Sequence, residues 1–199
     1  ASVLRIRSSL TKAPLGRANF GFGTPAGGLL GATDRMSKRK SYEPGHQRKF
    51  LVIVDETPEC DRAVYYGARR AARTGGRLVL FAAIEVGEMN QQWLGVGDLM
   101  LEEAREEAER RLDHFAARAR NLAGIDPERV LRQGAKADEI LKLIDEDEDI
   151  AVLVLAAGTG TEGPGPLVSS LAGSGSGAFP IPITIVPGHL KDEDLDALA

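Results

Sequence analysis

A single cysteine, Cys60, stands in 199 residues, which excludes an internal disulfide framework and a cysteine-rich metal site. The three histidines, His46, His114 and His189, lie far apart with no metal-ligand spacing. Aromatic residues make up only 5% of the chain, and no apolar run approaches the length of a membrane-spanning helix. A GxxxxGK(S/T) phosphate loop is missing, and so is any Ser–His–Asp constellation. Positive charge is scarce where a nucleic-acid surface would need it. Residues 1–49 carry ten Lys/Arg against two acids, whereas residues 50–199 carry fifteen against twenty-seven, a net charge near −12. Such a body repels a polyanion, so neither nucleic acid nor a membrane is an expected partner, and a cytoplasmic location is expected.

What is present is apolar content of 43%, enough for one domain with a real core. The richest stretch is Lys49 to Ile84. An unbroken apolar run, Phe50 to Val54, ends on Asp55, and Thr57-Pro58-Glu59 reads as a helix start with a cap, a proline in the first turn and an acid at the positive dipole end. Val64, Gly67, Ala68 and Ala71 recur at helical spacing, Gly75-Gly76 stops the helix, and Leu78 to Ile84 is apolar again. Strands buried on both faces read this way, so the stretch is a βαβ unit of a parallel sheet. In open α/β sheets ligands bind outside the carboxyl ends of the strands, where Asp55 stands.

The alternation continues. A loop at 86–97 holds Met89, Trp93 and Leu94, with Trp93 read as a packing anchor. A long helix over about 98–124 buries the stripe Leu101, Ala104, Ala108, Leu112, Phe115, Ala119 and Leu122. Val130 to Gln133 is a third strand, Lys136 to Glu146 a helix, Ile150 to Leu155 a fourth strand and Ile183 to Val186 a fifth. The pattern predicts a single doubly wound α/β domain with helices on both faces of a parallel five-stranded sheet, spanning residues 49–188. Residues 1–48 are expected to be a disordered basic extension, within which Met36 opens MSKRKSYEPGHQRKF and reads as a native start. The other reading of the acid-poor, Arg- and Ser-containing leader is an organellar transit peptide. Residues 189–199 are expected to be an acidic tail, a short surface helix or frayed.

Beyond the fourth strand lies AAGTGTEGPGPLVSSLAGSGSG, residues 156–177. Glycine-rich turns expose successive backbone N–H groups, and a helix start adds its own donors, so such a segment can cradle phosphate without a cationic side chain. Against that stands Glu162, which would repel phosphate. Cys60, in the first turn of a helix, has Glu59 and Asp61 beside it and reads as an inert or mildly reactive thiol.

The ordered set of a short apolar strand ending in Asp, a Thr-Pro-Glu loop, an alanine-rich helix and a glycine-rich loop after strand four resembles the universal stress protein family, from about Lys49 to Pro187. The resemblance implies the strand order 3-2-1-4-5, with the crevice between strands 1 and 4. It implies that ATP or a related adenine nucleotide, accompanied by Mg2+ or not, binds there, with Asp55 on adenine or ribose and the backbone of Ala83 at the adenine edge. The other reading of Asp55 is an acid serving the start of the first helix. Two registers of the phosphate loop are open. Literal family spacing selects Gly160, Gly163, Gly173 and Ser174; counting back from Pro180 selects Ser169 and Ser170, with Gly158 and Gly160 forming the first turn and Gly163 following.

The resemblance implies a regulator acting in stress response through conformation or a partner. The alternative is a dimeric interaction module of the same fold without nucleotide binding. An ATP-dependent ligase of the related hydrolase class is disfavoured, because DETPE stands where such enzymes have SGGxDS. No general base for water is identifiable, so any ATPase activity is expected to be slow. Strand 182–187 is short, β-branched and uncharged, at a sheet edge in this topology, and is expected to form a homodimer as the family's fifth strand does.

Overall fold

In the computed structural model, which describes residues 38–85, 97–160, 163–165, 167–169 and 179–199, five strands form one sheet. They are β1 (Lys49–Ile53), β2 (Arg77–Ile84), β3 (Glu128–Gln133), β4 (Ile150–Ala157) and β5 (Ile183–Pro187), in the order β3-β2-β1-β4-β5. Every neighbouring pair is parallel, with Leu51 opposite Val79 on one side and Leu153 on the other. The helices are α1 (Cys60–Thr74), α2 (Gly97–Ala123), α3 (Lys136–Glu146) and α4 (Asp192–Leu198).

Side chains alternate across a strand, so a strand covered on both faces must be apolar throughout. Phe50, Val52, Leu78, Leu80 and Ala82 face one layer, where α1, α2 and α4 bring Val64, Ala68, Leu112, Phe115 and Leu195. Leu51, Ile53, Val79, Phe81, Leu153 and Leu155 face the other, against Ile140, Leu143 and Ile144 of α3. This two-sided coverage explains the continuous apolar run in β1.

The start of α1 differs from expectation. The helix begins at Cys60, and Thr57 does not cap it. The Thr57 hydroxyl and backbone N–H both donate to Asp55 Oδ1, at 2.5 and 3.0 Å, which folds the loop back on the end of β1. The far end is as the glycine pair implies. Gly75 adopts φ +65°, and the Gly76 N–H donates to Ala71 O at 2.9 Å, closing the last turn.

Two terminal segments are more ordered than their composition implies. Residues 38–48, expected within a disordered extension, are pinned to the amino ends of the strands. The Lys40 N–H donates to Glu148 O at 3.0 Å and its ammonium lies 2.6 Å from Glu148. Arg39 donates to the Asp147 carbonyl at 2.9 Å and to Ile144 O, where a cation favours the negative end of α3. His46 pairs with Asp149 at 2.7 Å. The basic run is thus spent on internal partners. In the acidic segment 189–199, α4 buries Leu195 completely against α1, while Arg62 meets Asp192 at 2.6 Å and Arg69 meets Asp196 at 2.9 Å. The Asp194 carboxylate accepts from the Lys191 N–H at 3.0 Å and caps the helix.

The closest seat in the α1 layer is Gly67. A Cβ there would stand 2.6 Å from Val52 Cγ2 and 3.2 Å from Leu78 Cδ1. Alanine favours a helix interior over glycine by about 1 kcal/mol, but overpacking a filled core costs about 1–3 kcal/mol. Gly67→Ala is therefore expected to lower the stability by about 1 kcal/mol in urea denaturation. An unchanged or higher midpoint would contradict the contact.

Candidate functional site

Between β1 and β4 the chain parts to opposite faces of the sheet. From β1 it enters α1, whose Cys60, Val64 and Ala68 join one core layer; from β4 it runs to the helical turn at 167–169, whose Val168 joins the other. Neighbouring strands whose connections diverge in this manner leave a crevice at their carboxyl ends.

Asp55 stands at the mouth of this crevice, half-buried, its Oδ1 engaged by Thr57. It is neither a cap nor an ion-pair member: no described cation is within salt-bridge distance of it. Ala83 lies across from it, and its backbone direction follows from the ladder. The Val54 N–H donates to Phe81 O at 2.8 Å, whereas the Gly134 N–H donates to Ile84 O at 3.0 Å. Peptide groups in a parallel strand alternate sides, so those of Phe81 and Ala83 face β1 and that of Ile84 faces β3. The β1–β2 pairing ends at Ile53 opposite Phe81. Ala83 accordingly presents its N–H and C=O beyond the end of β1, on the Asp55 side. Asp55 and the Ala83 backbone thus lie at the carboxyl ends of adjacent strands.

The glycine loop is less open. The Gly158 N–H points to Pro164 O at 3.4 Å, and the Gly163 N–H donates to Gly160 O at 3.2 Å. Gly163 and Gly165 adopt φ of +88° and +98°, conformations that only glycine takes without strain. Two of the backbone donors expected to face phosphate are therefore committed within the loop. The Ser169 N–H closes a helical turn on Gly165 O at 2.9 Å, and its side chain is exposed. Ser170, together with Thr161, Glu162, Gly173, Ser174 and the Trp93 loop, lies outside the described residues, so the choice between the two registers does too.

The residue missed in the sequence is Glu59. It reads there as an acid in a first helical turn; in the structure its side chain lies across the ends of β4 and β5. Its Oε1 stands 2.8 Å from the place a Cβ on Gly158 would take, and its Cβ stands 2.8 Å from the corresponding place on Gly188. Each glycine ends a strand, and together they form the seat that Glu59 fills. Its position four residues after Asp55, in the same crevice loop, was the available signal. Glu85, at the end of β2, accepts the Lys136 N–H at 3.0 Å and caps α3, which has no capping side chain of its own.

Cys60 is fully buried, with Sγ 3.8 Å from Ile53 O. Burial pushes its thiol up to about 12, with the carboxylates of Asp55 and Asp61 adding to the effect against the hydrogen bond from the loop backbone. It is an inert core residue, in line with the sequence reading. For Asp61, burial alone would raise the carboxyl, but hydrogen bonds from Arg118 at 2.9 Å and from Arg62 hold it below its ordinary value. That linkage of α1 to α2 is present above the ordinary Asp range and weakens as pH falls through the lowered value. Among the described residues no group of three or more His, Cys, Asp or Glu is arranged to hold a metal ion, and no helix is long and apolar enough to cross a membrane. A cavity of about 440 Å³ lined by His46, Lys49, Leu143 and Glu146 to Asp149 lies at the amino ends of the strands, away from the crevice.

These features define a doubly wound α/β protein with a crevice at its topological switch point. The pattern of the universal stress protein family matches residues 47–187, and the chain belongs to that family. Solved structures with this fold include the universal stress protein UspA from Lactobacillus plantarum, 16% identical, with a TM-score of 0.60 over 70% of this chain and 97% of that one. A family member from Burkholderia pseudomallei is 19% identical, with a TM-score of 0.55 over 70% and 95%. A universal stress protein in complex with cAMP is 19% identical, with a TM-score of 0.50 over 71% and 97%. A comparison with curated proteins gives no match.

Proposed function

We propose that this chain is a stress-response regulator that binds an adenine nucleotide in the β1–β4 crevice and acts through conformation or a protein partner. The observation that carries the reading is the convergence of the Asp55 carboxylate with the outward-facing peptide of Ala83. An adenine edge needs one backbone donor and one acceptor, and a ribose diol needs a carboxylate acceptor; both are available within one cleft. A similar fold in complex with cAMP supports the choice of an adenine compound. Adenine-end recognition is thus well provided for. ATP with Mg2+ is the family-level expectation for the rest of the ligand, and Asp55 and Glu59, with Glu56 already paired to Arg111, are the carboxylates of the crevice loop that a bound cation would meet. The second reading, an interaction module without nucleotide, is favoured by the committed N–H groups of Gly158 and Gly163.

Isothermal titration with adenosine and adenine nucleotides separates the two. Asp55→Ala is expected to weaken binding about tenfold or more, since a hydrogen bond to a charged group contributes about 1.5–3 kcal/mol. Absence of binding to the wild type at millimolar ligand would leave the interaction module.

Either reading includes a homodimer through β5. Pro182 O accepts from the Leu153 N–H at 3.0 Å and the Gly188 N–H donates to Ala157 O at 2.9 Å. By alternation, Thr184 and Val186 bond to β4, while the peptide groups of Ile183 and Ile185 face the open edge. Ile185 is 44% exposed, a large apolar side chain on a strand whose outer edge pairs with no described strand. Ile185→Pro removes an outward donor without touching the β4 ladder. It is expected to convert dimers to monomers in light scattering while leaving circular dichroism intact; a wild type already monomeric at tens of micromolar would contradict the proposal.

A further inference from the structure

Resting on the adenine-nucleotide reading above, we infer that Glu59 makes this crevice select against free polyphosphate, so that a nucleoside or a singly charged nucleotide binds in preference to uncomplexed ATP.

The seat of Glu59 is the first ground. Gly158 opens the loop where phosphate would be cradled, and the space at its Cα is closed by Glu59 Oε1, 2.8 Å from an added Cβ, and by Gly163 O at 3.0 Å. Both are oxygen acceptors. A phosphate brought to Gly158 meets a carboxylate and a carbonyl where a cradle would offer N–H donors. The N–H of Gly158 is meanwhile turned to Pro164 O, and that of Gly163 to Gly160 O. Glu59 cannot easily swing aside at its base, because its Cβ is packed on Gly188.

The charge around it is the second ground. The described residues that leave the strands at this end, 54–59, 85, 134–135, 158–160, 163–165 and 188–191, contain Asp55, Glu56, Glu59 and Glu85 against the single Lys191. Arg111, which reaches this end from α2, is already paired with Glu56 at 3.0 Å and Glu107 at 3.4 Å. Two unit charges 4 Å apart at a partly shielded protein surface interact strongly enough to change affinity by an order of magnitude or more. A triphosphate brings several such repulsions and adenosine none. The Asp55 and Ala83 contacts to adenine and ribose do not depend on the phosphate, so the nucleoside part keeps its binding groups.

The test is titration calorimetry of the full chain with adenosine and with ATP, the latter in EDTA and again in excess magnesium. The wild type is expected to bind adenosine about tenfold or more tightly than ATP in EDTA. Glu59→Gln should shift the ATP-to-adenosine affinity ratio about tenfold toward ATP. Because the substitution sits at the start of α1, a second measurement stands beside it: raising the salt from 0.05 to 0.5 M should narrow the wild-type ratio, as expected for screened repulsion. An unchanged ratio in Glu59→Gln together with a salt-independent wild-type ratio would overturn the inference. So would weaker ATP binding by Glu59→Gln in magnesium, since Glu59 would then be a metal ligand. Adenosine bound with no charge preference sinks the inference alone; no binding of adenosine or ATP to either protein sinks the nucleotide reading and the inference with it.

Discussion

The pairing of β1 with β2 on one side and β4 on the other is the constraint on which the rest depends. A central parallel strand buried on both faces can only be apolar, and its neighbours can be reached only by crossovers through helices. Residues 50–54 meet the first condition, with none more than 4% exposed. The chain leaving β1 and the chain leaving β4 then join opposite core layers, and a crevice lies between them. Asp55, the Ala83 peptide, Gly158 and Glu59 share one place because each lies at or just past a strand's carboxyl end. The tight seat of Gly67 on Val52 and Leu78 holds α1, and with it the loop that carries Asp55 and Glu59, close to the sheet.

The two ends of the sheet carry different electrostatics. At the amino ends, basic residues from the segment before β1 answer the acidic run after α3: Lys49 lies 2.8 Å from Asp147 and 2.9 Å from Glu128, and Lys40 and His46 pair with Glu148 and Asp149. Acid and base are balanced there and serve to anchor residues 38–48. At the carboxyl ends, among the described residues, Asp55 and Glu59 make no ion pair, and both stand on the crevice loop. The more exposed of the first pairs, such as Lys40 with Glu148, contribute little to stability, whereas unpaired carboxylates at the other end bear on the charge of whatever enters the crevice.

Much of the fold was legible because burial on two faces writes itself into composition. The apolar runs of β1, β2 and β4 mark their own positions, and α3 spans the expected Lys136 to Glu146, although the structure buries Leu143 in its inward face and leaves Leu141 half-buried. Helix α1 was placed, but its first turn was not, because Thr57 bonds Asp55 locally in preference to the helix. Leu195 escaped notice as one apolar residue among acids; only the groove on α1 and its arginines give it meaning. Residues 38–48 read as a solvated basic leader because their partners lie about a hundred positions away in the chain. In the site, Asp55 was reached from the strand pattern and Ala83 through family resemblance; both lie at the carboxyl ends of neighbouring strands. Glu59 was not reached, since its place in the crevice loop does not by itself show that two glycines, one of them after the last strand, make room for its side chain.

The central claim is that the carboxyl-end crevice is the adenine site, and amide chemical-shift mapping of the uniformly 15N-labelled chain with adenosine tests it most directly. The account predicts the largest perturbations at the amides of Asp55, Ala83 and Gly158, with those lining the amino-end cavity, such as His46 and Asp149, unmoved. Perturbations centred on the amino-end cavity, or none at saturating adenosine, would contradict it.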